Sequence, residues 1–209
     1  MFGALTILSA IVAVLAVVVL WNSRKDLREI SKYCTIGMII AILDFMMEFI
    51  GTKLLGWQYN QSIYLIGRLV PIELVVFFFA GGILLRFVFI KVRTLKSPPK
   101  LNLLLYSVML FGVIIYVRDL WLNKEASMLT FSAPFGLWGM LNIREHNRGW
   151  ATILAIAIAC IDFVVETFFV QHVGNYGYRT GFSILTSFTY GFIALGLFGL
   201  MEKIDAMKK

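Results

Sequence analysis

Histidine and cysteine are nearly absent from this chain of 209 residues: His146, His172, Cys34 and Cys160 are all it has. With no HExxH, DDxxD or CxxC pattern among them, zinc proteolysis, di-iron desaturation, metal-dependent prenyl transfer and a disulfide framework all lose their ligands. No lysine lies within the last apolar stretch, 182–201, which argues against a retinal Schiff base. Charge is also sparse: 15% of residues are Asp, Glu, Lys or Arg, and only 12 are acidic.

What fills the space is hydrocarbon. Hydrophobic residues make up 60% of the chain and its mean hydropathy is +0.85, values that point to a multi-pass membrane protein. The first run, "FGALTILSAIVAVLAVVVLW", has no basic residues before it and "NSRKDLREISK" after it. That order predicts a retained first helix with its N-terminus outside. A bilayer core of ~30 Å needs about 20 apolar residues per helix, which predicts seven spans, near 2–21, 33–55, 64–90, 101–121, 127–143, 150–171 and 182–201. The fifth is short and carries Pro134, so a kink or a partial span is allowed there.

The formal charge of +7 is a topology signal rather than a nucleic-acid footprint. Arg24, Lys25, Arg28 and Lys32 follow the first span; Arg86, Lys91, Arg93, Lys96 and Lys100 surround the end of the third. Arg144 and Arg148 follow the fifth, and Lys203, Lys208 and Lys209 close the chain. Seven spans, with the N-terminus outside and the C-terminus cytoplasmic, put all these clusters on one face. The expected fold is therefore an all-α, multi-pass cell-membrane protein forming a single domain over 1–209.

Two stretches, "LDFMMEF" at 43–49 and "IDFVVET" at 161–167, repeat the pattern D-F-x-x-E. Each is followed by a Gly- and Tyr-bearing loop, "GWQYN" at 56–60 and "GNYGYRTG" at 174–181. This predicts a parallel 3+1+3 internal repeat: one copy over about 1–96, a connector helix over about 101–121, and a second copy over about 127–209.

Residues four apart share a helix face, so Asp44 with Glu48, and Asp162 with Glu166, form carboxylate stripes that should face protein rather than lipid. Glu73, two residues after Pro71, is expected at a similar depth. An ionised carboxylate there costs ~2.5–3.5 kcal/mol, so such groups are neutral or paired. A neutral acid can protonate a substrate, and an ionised neighbour can steady a cation. The structural alternative is that an acid bonds a Tyr, Trp or backbone group between helices. Trp57, Tyr59, Tyr176 and Tyr178 serve equally as cavity lining or as interface anchors, with Arg68 and Arg179 the cations near that rim.

The stretch "EFIGTKLLGWQYNQSIYLIGRLVPIELVVFFFAGG" resembles the lycopene cyclase domain of carotenoid biosynthesis and the related carotenoid hydratases, through Trp57, Tyr59, Gly67, Pro71, Glu73, Phe77 and Phe78. It departs from the cyclase P-x-E-E motif at Leu74, and the second copy has only "SILTSFTYGF" there. The chain is also similar to the membrane-bound meroterpenoid cyclases in its helix number and helical acids. The resemblance implies a terpene cyclase or hydratase that protonates a hydrophobic isoprenoid, with no metal or organic cofactor. Glu48, Glu73 and Glu166 would be acid and base candidates, and Asp44 and Asp162 tuners. A proton-coupled small-solute transporter of three-helix repeats and a non-catalytic membrane subunit are the rival expectations.

Overall fold

The computed structural model describes residues 4–55, 57–59, 62–95, 107, 114, 126–168, 176–178 and 184–206. Among them are helices α1 (Ala4–Asn22), α2 (Leu27–Ile50), α3 (Ile72–Val92), α4 (Ala126–Asn142), α5 (Glu145–Phe168) and α6 (Ile184–Ala206). Four short strands accompany them: β1 (Trp57–Tyr59), β2 (Leu65–Ile66), β3 (Val70–Pro71) and β4 (Tyr176–Tyr178). Of the expected connector helix over 101–121, only Ser107 and Ile114 are among the described residues. Among the described residues, four helical stretches are long and apolar enough to cross a membrane: Leu5–Asn22, Leu27–Lys53, Ile72–Val92 and Glu145–Thr167. The chain forms two compact units, Met1–Val88 with Glu166–Phe182, and Phe89–Val165 with Ser183–Lys209.

In the first unit, α2 starts where Asp26 caps it: the Asp26 carboxylate accepts the Glu29 N–H at 3.0 Å. Its buried face is Tyr33, Ile36, Gly37, Ile40, Ala41, Asp44 and Glu48, a strict helical stripe. The opposite face exposes Met38, Ile42, Met46 and Phe49. Acids inside and hydrocarbon outside is a distribution that water would penalise and lipid would not. A Cβ on Gly82 would lie 2.7 Å from the Gly37 Cα, so these two glycines let α3 and α2 meet backbone to backbone. At its far end α2 runs on into one π-helical turn, Gly51–Leu55.

The third expected span does not begin at 64. Residues 65–71 form an antiparallel hairpin, with Ile66 opposite Val70 and Leu65 opposite Pro71, and α3 starts only at Ile72. Gly67 and Arg68 both have positive φ, 59° and 64°, and Leu69 N–H bonds the Ile66 carbonyl at 3.1 Å, the pattern of a type I′ turn. Pro71 supplies no N–H to a helix and disfavours helical geometry at Val70. Hydropathy is blind to both effects.

Where the first unit buries Arg86, the second buries Glu202. Arg86, 1% exposed, reaches Glu29 Oε1 through Nη2 at 2.7 Å and Nε at 3.2 Å, and its guanidinium lies over the Tyr33 ring. Glu202 accepts from the Asn147 amide and pairs with Arg144 at 3.1 Å. Asp205, on the next turn of α6 after Glu202, meets Arg93 at 2.6 Å, and Phe89 stacks on Phe198. In the second unit α4 packs on α6 through glycine: a Cβ on Gly139 would collide with the Leu195 carbonyl and the Gly196 Cα. α4 continues through Pro134, which is exposed.

Candidate functional site

Glu48 is the best-defined of the acid positions. It projects from the last turn of α2, 5% exposed, and its Oε2 accepts the hydroxyl of Tyr59. Its own carbonyl accepts the Thr52 hydroxyl at 2.8 Å as the chain enters the π turn. Turns of this kind are rare and cluster at functional sites. Tyr59 is held over the carboxylate by its strand: β1 pairs antiparallel with β4, Trp57 opposite Tyr178, Gln58 opposite Gly177 and Tyr59 opposite Tyr176. The two Tyr-bearing loops that follow the D-F-x-x-E stripes are thus joined strand to strand. Asp44, one turn before Glu48, is buried on the same face of α2.

Glu73 has a different surrounding. In the first turn of α3 its Oε1 accepts the Ile63 N–H at 2.5 Å and the Thr6 hydroxyl at 3.3 Å, while Oε2 accepts the Ser62 hydroxyl at 2.8 Å. The Ser9 hydroxyl donates to its backbone carbonyl at 2.9 Å. Every one of these contacts uses Glu73 as an acceptor, and together they tie α1, the segment before the hairpin and α3 at one point. Charge-assisted bonds of this type contribute ~1.5–3 kcal/mol each when buried. Its position also suits the positive end of the α3 dipole.

The acids of α5 are less uniform. Glu166 is buried, whereas Asp162 is half-buried, and Ile161, Phe163 and Val164 beside it are exposed. Arg68 is exposed at the hairpin tip. Trp57, Tyr176 and Tyr178 are placed by their strands, their side chains lying outside the described set, and Arg179 is outside the described residues altogether. Among the described residues no group of three or more His, Cys, Asp or Glu could hold a metal ion.

Several polar positions were not singled out by sequence reasoning. Thr6 and Ser9 lie three apart inside the first apolar run, a spacing that marks one polar face and could have pointed to a buried partner. Arg86 reads as a member of a cytoplasmic basic cluster, and its burial against Glu29 has no signal in hydropathy. Glu29 and Asn147 stand at the same distance along the chain before Asp44 and Asp162, and each binds the buried charged residue of the helix that follows.

No protein-family model matches the chain, and no curated protein or solved structure does either.

Proposed function

We propose that the protein is an integral membrane enzyme that protonates a long isoprenoid and then cyclises or hydrates the resulting cation. The observation that carries this reading is the buried Glu48 carboxyl beneath Tyr59, set at a π turn and roofed by the β1–β4 ribbon. In the neutral form Glu48 donates its proton to a double bond, and the Tyr59 hydroxyl holds the carboxylate left behind. Asp44, on the same face, steadies positive charge as it moves along the chain of the substrate. Glu73 acts as a clamp rather than as an acid, because its acceptor positions already hold Ile63, Ser62 and Thr6.

The same reading takes the chain as a multi-pass cell-membrane protein of seven spans with a parallel 3+1+3 repeat, N-terminus outside. Three features support it: the inverted polarity of α2, the four long apolar stretches, and the local symmetry of the ribbon. "WQY" and "YGY" pair about Gln58 and Gly177 so that equivalent positions exchange places, the register of two copies of one segment meeting at a two-fold axis. No metal or organic cofactor enters the proposed chemistry.

The test is product formation in membranes of a host that accumulates acyclic isoprenoids. Glu48→Gln should lower turnover by about 10²–10⁴-fold, the usual contribution of a general acid, and Glu73→Gln should lower the amount of folded protein more than the turnover of what remains. Unchanged product from Glu48→Gln overturns the enzymatic reading. Uptake of a small solute by proteoliposomes, driven by a pH gradient and lost in Asp44→Asn, would replace it with the transporter.

A further inference from the structure

The second unit contains a cavity of about 650 Å³ between α5 and α6 that none of the five candidate acids lines. Its wall is almost wholly apolar, built from residues such as Ile156, Phe163, Phe192 and Leu195. A Cβ on Gly191 would sit 3.2 Å from the Ala155 carbonyl oxygen and 3.3 Å from the Ala159 Cβ, so the two helices touch midway along the cavity. The lining on α5 extends from Thr152 to Val164, about 18 Å at ~1.5 Å per residue, more than half of a ~30 Å bilayer core. The volume is that of a small-molecule site, ~300–1,000 Å³, and the lining is drawn out along α5.

Among the described residues the wall's hydroxyls belong to Ser107, Thr152 and Ser187, and they are unequal: Ser107, from outside α5 and α6, already has an interaction partner. Thr152, at one end, already donates its hydroxyl to the Arg148 carbonyl at 2.8 Å. Ser187, one turn into α6 at the other end, is 2% exposed, and its hydroxyl has no hydrogen-bond partner among the described residues. A buried hydroxyl without a partner costs about 1–3 kcal/mol, so it marks where a ligand's polar atom would be welcome. Cys160, one helical turn before Val164, is an exposed residue that lines the same end.

We propose that this cavity binds one long hydrocarbon chain bearing a single hydrogen-bonding group, which meets Ser187 while the tail runs toward Thr152 and Leu195. An isoprenoid alcohol and the ester-linked acyl chain of a membrane lipid both have this chemistry. The site is independent of the acid-based reading, since it shares no residue with it.

The full-length protein in phosphatidylcholine nanodiscs is irradiated with a diazirine-bearing hexadecanol, and the labelled peptides are mapped by mass spectrometry. Labels should concentrate on 156–164 and 187–195, and Ile156→Trp should reduce them at least tenfold without changing those on the exposed face of α1. Competition by excess geranylgeraniol assigns the site to isoprenoids, and competition by excess palmitoyl phospholipid assigns it to lipid acyl chains. Labelling that neither displaces, or that is spread evenly over every exposed apolar face, overturns the proposal. A second readout does not use Ile156→Trp: in Cys34→Ala protein, hexadecanol should slow alkylation of Cys160 by N-ethylmaleimide, a reagent small and apolar enough to enter a bilayer, and Ser187→Ala should remove its advantage over hexadecane. Alkylation indifferent to hexadecanol also overturns it.

Discussion

Helices α2 and α5 carry the same D-F-x-x-E pair and treat it differently. On α2 both acids are buried, Asp44 and Glu48 each 5% exposed, and Tyr59 closes over the second. On α5 Asp162 is half-buried beside the exposed Phe163 and Val164, which line the cavity instead. One motif therefore serves two environments, because what decides burial is the neighbour across the helix. Gly37 and Gly82 draw α3 against the face of α2 below the acids, whereas α5 approaches α6 closely at Gly191 and bonds it at Asn147 but leaves the cavity open beside Phe163 and Val164.

The glycine contacts offer the strongest way to break the comparison. Gly139→Leu should abolish the packing of α4 on α6, a loss of about 3 kcal/mol or more, read as a collapse of thermal stability in detergent. Gly37→Ala, whose Cβ would lie 2.6 Å from the Phe79 carbonyl, should cost about 1–3 kcal/mol in the same assay. If both variants melt with wild type, the helices are not held by close backbone approach.

The buried polar locks come next. Arg86→Met should destabilise by about 2–3 kcal/mol because it removes both charge-assisted bonds to Glu29 Oε1, leaving that carboxylate only Lys32 at 3.4 Å, and Glu29→Met in the same chain should restore part of that loss. Asn147→Leu should cost about 1–2 kcal/mol, less than Arg86→Met, since Arg144 still faces Glu202. A double variant at 29 and 86 no more stable than Arg86→Met alone would mean that the pair is not the lock. Tyr59→Phe should cost only about 1 kcal/mol of stability, while lowering turnover more than its effect on folding explains. The smallest effect is expected at Gly81: nothing lies within 4 Å of its Cβ position, so Gly81→Ala should be neutral or stabilise by about 0.5–1 kcal/mol.

Much of the helical layout was legible in composition and period. The α4 range matches its expected span to within a residue, and the stripe on α2 follows directly from the spacing of Asp44 and Glu48. The hairpin at 65–71 was not legible from hydropathy, because an apolar strand and an apolar helix look alike on that scale; Gly67 and Pro71 were the available turn signals. The role of Glu73 was open for a related reason. Sequence places a carboxylate after Pro71, but only the folded chain shows Thr6, Ser62 and Ile63 meeting it, from positions far apart in number. Arg86 shows the converse limit, since a basic residue at a helix end reads as a topology signal until its partner across the unit is known.

The central claim is that the proton held at Glu48 ends up on a hydrophobic substrate. The direct measurement is product mass after reaction in D₂O, using membranes that contain the wild-type protein and an acyclic isoprenoid. Proton-initiated cyclisation or hydration predicts one non-exchangeable deuterium in the product, and its loss together with the product in Glu48→Gln. A product free of deuterium, or one that forms equally well without the Glu48 carboxyl, would contradict the account.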